Sequence, residues 1–173
     1  MRDGLVASAF QEVTADTAAA ARWLDWADLF GRTMRVLLTG ASGFIGSAIA
    51  AALQARGHAV VRVQRRAPGD GGDVVQADFA RPPGRAWWEP RLAGIDAVVN
   101  AVGILRDRPG QRFQALHVDA PLELFHACVA AGVPVVLQVS ALGADDQARS
   151  AYHRSKKQAD DALRALPLAP PGP

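Results

Sequence analysis

From Met34 onward, short β-branched apolar runs alternate with stretches whose apolar positions recur every three or four residues. That alternation predicts an α/β fold, a parallel sheet with crossover helices. The predicted strands are Arg35–Thr39 (RVLLT), 58–63 (HAVVRV), the short VVQAD at 74–78, 95–100 (IDAVVN) and 133–140 (VPVVLQVS). IDAVVN is nearly all apolar, as a strand covered on both faces should be. The first predicted helix carries Ile45, Ile49, Ala52 and Leu53 on one face and is closed by Gly57. A short helix is expected around 87–92, within a segment broken by three prolines. A third is opened by Asp119 and Pro121, places Leu122, Phe125 and Val129 on one face, and ends at Gly132. The last, from about 148 to 165, puts Tyr152, Lys156, Ala159, Leu163 and Leu166 on one stripe.

Two segments fall outside this pattern. Residues 1–33 are alanine-rich, lack β patterning and precede a second methionine, Met34. Their Trp23, Leu24, Trp26, Ala27 and Phe30 share one amphipathic face, which reads either as a helix docking on the domain or a partner, or as a disordered or mis-assigned extension. The last seven residues hold four prolines and read as a frayed tail. The expected organisation is an extension at 1–33, one domain at 34–166 and a tail at 167–173.

Composition narrows the function classes. With 173 residues, half of them hydrophobic, the chain is long enough for one domain with a real core. No apolar run approaches the roughly 18–20 residues that span a bilayer. The start lacks a basic, then apolar, secretory pattern, so the expected location is the cytoplasm. The single cysteine, Cys128, forms no intramolecular disulfide and no zinc cluster, and its place on an apolar helix face predicts packing. His58, His126 and His153 fit no metal-ligand spacing, so no metal is expected. The net charge of +2, with arginines scattered along the chain, argues against a nucleic-acid partner. Oligomeric state is open between a homo-oligomer, a complex with another protein and a monomer.

The most specific chemistry lies in TGASGFIG, between a predicted strand and a predicted helix. There Gly40 permits a tight turn, Gly43 lets backbone amides approach a pyrophosphate, and Gly46 allows close packing of helix on strand. Ser42, Phe44 and Ile45 complete the loop as candidate cofactor contacts. At the end of the second strand an acidic residue would meet free ribose hydroxyls, whereas Arg65 and Arg66 suit a 2′-phosphate. The pair favours NADP over NAD, the alternative being two solvated surface arginines. Asp78, just after the third strand, is placed to touch the adenine.

Read in order, TGASGFIG, Asp78, Asn100-Ala101-Val102-Gly103 (NAVG), Ser140 and the Tyr152-x-x-x-Lys156 pair resemble the short-chain dehydrogenases/reductases. VSALGAD followed by that pair is similar to the extended and atypical branch, near the NAD-dependent epimerases/dehydratases and the nucleotide-binding accessory subunit of respiratory complex I. The resemblance covers about 34–168 and implies a Rossmann-type doubly wound sheet of about five strands, without the sixth strand and substrate lobe that extended members carry beyond this point. It also implies hydride transfer at a carbonyl or alcohol, with Ser140 bonded to the substrate oxygen, Tyr152 passing the proton and Lys156 holding the nicotinamide ribose. A phenol of pKa near 10 needs a nearby cation to act at neutral pH, and Lys156 is one helical turn away.

At 116–121 (LHVDAP), many extended members have asparagine in place of His117; the histidine either substitutes for it or caps and packs. The reading is thus an NAD(P)-dependent oxidoreductase or epimerase acting on an unidentified small molecule. Its rivals are a non-catalytic nucleotide-binding assembly or redox-sensing protein and a truncated, inactive fragment.

Overall fold

The computed structural model describes residues 33–66 and 73–168. The helical face expected at 23–30, most of the polar turn after the second strand and the tail beyond Leu168 lie outside the described residues. Five strands form one sheet, β1 (Arg35–Thr39), β2 (Ala59–Gln64), β3 (Val74–Gln76), β4 (Ala97–Asn100) and β5 (Val135–Gln138), in the order β3-β2-β1-β4-β5. Every pairing is parallel. The chain winds outward from β1 in one direction, returns to β4 beside β1, and then winds the other way. The crevice between β1 and β4 is the switch point at which such sheets bind ligands.

The helices are α1 (Phe44–Ala55), the four-residue α2 (Arg85–Trp88) continuing as a 3-10 turn at Glu89–Leu92, α3 (Ala120–Ala131) and α4 (Ala151–Arg164). Alternation along β1 divides the core. Val36 and Leu38 pack with Met34, Ala50, Leu53, Val60, Ala97 and Val99 on the α1 side. Leu37 packs on the opposite side with Val98, Val136, Trp88, Leu124, Phe125, Cys128 and Leu163. Trp88 is fully buried, edge-on to Phe79 and Trp87, while Arg91 covers the Trp87 face at 3.6 Å. Both tryptophans are packing groups.

Three local expectations are corrected. Ile45 does not share the core face of α1: it is 43% exposed, and the buried positions are Gly46, Ala50 and Leu53, with Ile49 half-buried. The start of α1 packs on the glycine turn at Gly46, and Ile45 beside it is left exposed. Asp119 does not open a helix either. The chain is already helical through a π-helical turn at Gln114–Asp119, and the Asp119 carboxylate accepts a bond from the Gln114 side chain at 2.8 Å. Finally, the buried face of α3 runs through Pro121, Leu124, Phe125 and Cys128, leaving Leu122 and Val129 half-buried at its margins. The α4 stripe stands as predicted, with Lys156, Ala159 and Leu163 buried and Tyr152 and Leu166 half-buried. Ser150 caps α4 by accepting the His153 amide at 3.1 Å.

Candidate functional site

The site begins where β1 ends. Gly40 has φ +67°, and a Cβ built on it would lie 2.6 Å from the Ala101 carbonyl oxygen. A side chain there would thus be strained in the backbone and blocked by the loop after β4. A Cβ on Gly46 would come within 2.1 Å of the Gly40 oxygen, so α1 rests directly on the turn. Gly43 meets only that oxygen, at 3.2 Å, and faces outward. It caps α1 with no side-chain bond, and the first turn has no acidic residue. The Gly43 amide donates to the Gly40 carbonyl at 2.9 Å, and the amides of the first turn after it have no side-chain cap. Ser42, Phe44 and Ile45 surround them, all exposed, with Phe44 90% exposed.

The loop after β4 joins the turn to α4. Ala101 closes over Gly40, and a Cβ on Gly103 would sit 3.3 Å from the Lys156 amine and 3.6 Å from His117 Nε2. Lys156 is 3% exposed, and its Nζ donates to the Val139 carbonyl at 2.9 Å and to the Val102 carbonyl at 3.5 Å. Burial lowers its pKa to about 8, opposed by the Asp160 carboxylate. The Gly40 turn, residues 101–103 and Lys156 thus converge through a continuous run of contacts at the carboxyl ends of β1, β4 and β5.

Tyr152 lies one turn before Lys156, its ring edge-on to His117 at 5.6 Å between centroids, to Phe113 at 5.9 Å and to His153 at 5.1 Å. Burial pushes its phenol above the ordinary value. In the free chain desolvation governs the phenol, and the Lys156 amine bonds strand carbonyls. Ser140, just beyond β5, turns its hydroxyl onto the Asp160 carboxylate.

The remaining sequence candidates take other positions. Asn100 is fully buried, accepts from Thr39 Oγ1, and donates to Gln138 Oε1 at 2.6 Å. It stitches β1, β4 and β5 together at one register level. Asp78 is half-buried and accepts the Ala80 amide at 3.0 Å, holding its own turn. Arg65 and Arg66 stand exposed at the end of β2.

His117 is a packed, fully bonded group. Its Nε2 accepts the Ile104 amide at 2.9 Å, which leaves the proton on Nδ1 to be donated to Ser155 Oγ at 2.8 Å; Ser155 in turn donates to the Tyr152 carbonyl at 2.7 Å. Burial, with the Lys156 charge second, lowers its pKa to about 4.

A family model described as "NAD dependent epimerase/dehydratase family" matches residues 36–166, a span that begins in β1 and ends just beyond α4. The chain belongs to that family. Curated relatives include an epimerase family protein of Mycobacterium bovis, Mb2239, 37% identical over 115 residues, and a ceramide reductase of Caulobacter vibrioides, 32% identical over 137 residues. The first alignment covers 62% of this chain and 36% of the relative, the second 75% and 42%. The chain therefore spans about a third to two fifths of the length of these relatives. Among solved structures, MoeE5 in complex with UDP-glucose and NAD is similar at 29% identity and TM-score 0.61, over 75% of this chain and 48% of that one. A short-chain dehydrogenase/reductase superfamily protein of Agrobacterium tumefaciens with bound NAD matches at 25% identity and TM-score 0.61, over 75% and 44%. The resemblance drawn from the glycine loop and the Tyr-Lys pair thus holds at the level of family and fold. Among the described residues, no helix of this epimerase/dehydratase family member is long and apolar enough to cross a membrane.

Sequence reasoning gave no role to Thr39, Ser155 or Asp160. Thr39 opens the TGASGFIG loop and Ser155 fills an unspecified position of the Tyr152-x-x-x-Lys156 pair, but neither residue type was singled out. Asp160 was legible in principle, since it falls four residues past Lys156 on α4, but an aspartate beside a second one, the exposed Asp161, carries no motif.

Proposed function

We propose that the domain is the cofactor-binding part of a nicotinamide-dependent oxidoreductase or epimerase. In this reading the Gly40–Gly46 loop holds the cofactor pyrophosphate, and Ser140, Tyr152 and Lys156 serve hydride exchange at a carbon bearing a hydroxyl or carbonyl. The observation that carries it is the convergence of the glycine turn, the 101–103 loop and the buried Lys156 amine, with Tyr152 one turn away. Family membership and the NAD held by similar proteins support the cofactor class. The chain's own residues fit such a group: an uncapped helix end without acidic residues faces the crevice, and Gly43 keeps the approach open.

A bound nicotinamide supplies or takes up the hydride. Lys156, with a pKa near 8, keeps most of its charge at neutral pH and stands ready to donate to a ribose hydroxyl. The Tyr152 phenol, held protonated by burial, is the group that gives a proton to a substrate oxygen or takes it back. Ser140, whose own proton goes to Asp160, would accept a bond from that oxygen when it bears a proton. Asp78 would approach the adenine and residues 101–103 the nicotinamide side, with the buried Asn100 fixing the strand ends beneath them. Arg65 and Arg66, exposed at the end of β2, favour NADPH through its 2′-phosphate.

The test is a titration of the full chain with NADPH and NADH, followed by cofactor fluorescence, beside a Gly43→Trp variant. Saturable binding on the order of micromolar, lost in the variant and tighter for NADPH, is expected. A folded chain without saturable binding of either cofactor overturns the reading. Equal affinity for the two removes the role given to the arginines.

A further inference from the structure

Two buried charges of opposite sign lie one helical turn apart on α4, and each grips the exit of β5. The Lys156 amine donates to the Val139 carbonyl, and the Asp160 carboxylate accepts the hydroxyl of the next residue, Ser140. Lys156 is 3% exposed and Asp160 6%. Carboxylates are almost never buried this deeply without a partner. One oxygen of Asp160 has the Ser140 hydroxyl; the other, Oδ1, is buried with no hydrogen-bond partner among the described residues. Burial pushes the Asp160 carboxyl above its ordinary value, opposed first by the Ser140 hydrogen bond and then by the Lys156 charge one helical turn away.

The groups facing this pair are few. The amine meets the Val139 and Val102 carbonyls from the strand ends and His117 from the π-helical turn; that histidine is neutral at ordinary pH. The carboxylate meets Ser140 from the loop after β5, and Arg164 and Asp161 act on it from its own helix. Arg164 and Asp161 are solvent-accessible and bonded to each other at 3.0 Å, so their fields are screened and opposed.

We propose that Asp160 is a positioning residue of the site, whose buried carboxylate keeps the Lys156 amine charged and holds Ser140 inward. This rests on the reading of Ser140, Tyr152 and Lys156 given above. An amine in such a place would otherwise lose its proton to desolvation, and a neutral lysine has neither the charge nor the full donor set for a ribose.

The chain contains two lysines, Lys156 and Lys157, so [13Cε]lysine labelling yields two resonances that can be titrated separately. Lys157 lies outside the site and pairs with Asp161 and Asp146. In Asp160→Asn, which keeps an acceptor for Ser140 and nearly the same shape, the Lys156 midpoint should fall by about one unit from its value near 8. The Lys157 midpoint should not move. In Asp161→Asn the pattern should reverse, with Lys157 moving and Lys156 unchanged. A purely structural Asp160 would leave the Lys156 midpoint in place, and that result, or a rise, in a variant with an unchanged circular dichroism spectrum overturns the proposal. Cofactor titration of the same samples separates it from its premise. An unmoved Lys156 beside intact binding sinks the proposal and leaves the site reading standing. A parent chain that binds no cofactor sinks the site reading and the proposal with it, whatever Lys156 does in the variant.

Discussion

Replacing Gly46 by alanine adds one carbon to the first turn of α1, where helix propensity alone would favour the change by about 1 kcal/mol. The new Cβ would stand 2.1 Å from the Gly40 oxygen, 2.7 Å from the Gly40 carbonyl carbon and 3.0 Å from the Ala41 Cα. All three are backbone atoms, so no rotamer change relieves the overlap. The turn has no room to retreat, because Gly40 is itself packed on the Ala101 carbonyl. Overpacking costs about 1–3 kcal/mol, and an obstacle of immobile backbone belongs at the upper end. The net expectation is a loss of about 2 kcal/mol, which in a domain of this size lowers Tm by about 4–8 °C. Gly43→Ala is the matched comparison. Its Cβ meets one atom, at 3.2 Å, and its φ of −82° suits alanine, so its Tm should stay within about 2 °C of the parent. Thermal unfolding of the three full-length chains by circular dichroism decides it. A Gly46→Ala chain that melts at or above the parent, or a Gly43→Ala chain that falls as far, would refute the close-packing argument.

Three further outcomes follow from buried titratable groups. His117 has a folded pKa of about 4 against 6.5 in the unfolded chain, so the unfolded state binds the extra proton. The stability it contributes is complete above pH 6.5 and is lost as pH falls toward 4; denaturant midpoints of parent and His117→Asn should therefore differ most near neutrality and converge toward pH 4, and a constant difference would count against a neutral buried imidazole. Tyr152 is the only tyrosine in the chain, so an ultraviolet phenolate titration reports it alone; its midpoint in the free chain should lie above 10.0, and one below would mean that Lys156 does act on it. Cys128, fully buried with its thiol pushed up to about 12, should resist a thiol-specific disulfide reagent until the chain is unfolded, and rapid labelling of the native chain would contradict its place in the core.

How far the sequence reaches is clearest at particular residues. The alternation of β-branched runs with helical periods was enough for the parallel sheet, because strands buried on both faces and crossover helices leave periodic signals that need no knowledge of contacts. The glycine turn was readable for the same reason: its residues act within a few positions of one another, and their spacing carries the geometry. The stripe of Tyr152, Lys156, Ala159 and Leu163 followed from the helical period, and Cys128 and the tryptophan pair from apolar context. Helix boundaries were less legible. Within the π-helical turn before α3, His117 bonds Ile104 and Ser155, two partners distant in sequence.

What only the tertiary structure decided is where each polar group directs its bonds. Asn100 occupied a motif position associated with the cofactor, yet its amide links Thr39 to Gln138 across three strands, 61 and 38 residues away. Lys156 read as a cation for Tyr152 and instead faces two strand carbonyls, while Ser140 turns to Asp160. Such assignments depend on which donors and acceptors meet after burial, and on desolvation, which grows with all the atoms around a group rather than with its neighbours in sequence. Periodicity and spacing determined the scaffold of this protein. Long-range hydrogen bonding and burial determined the charge, the tautomer and the orientation of the groups placed on it.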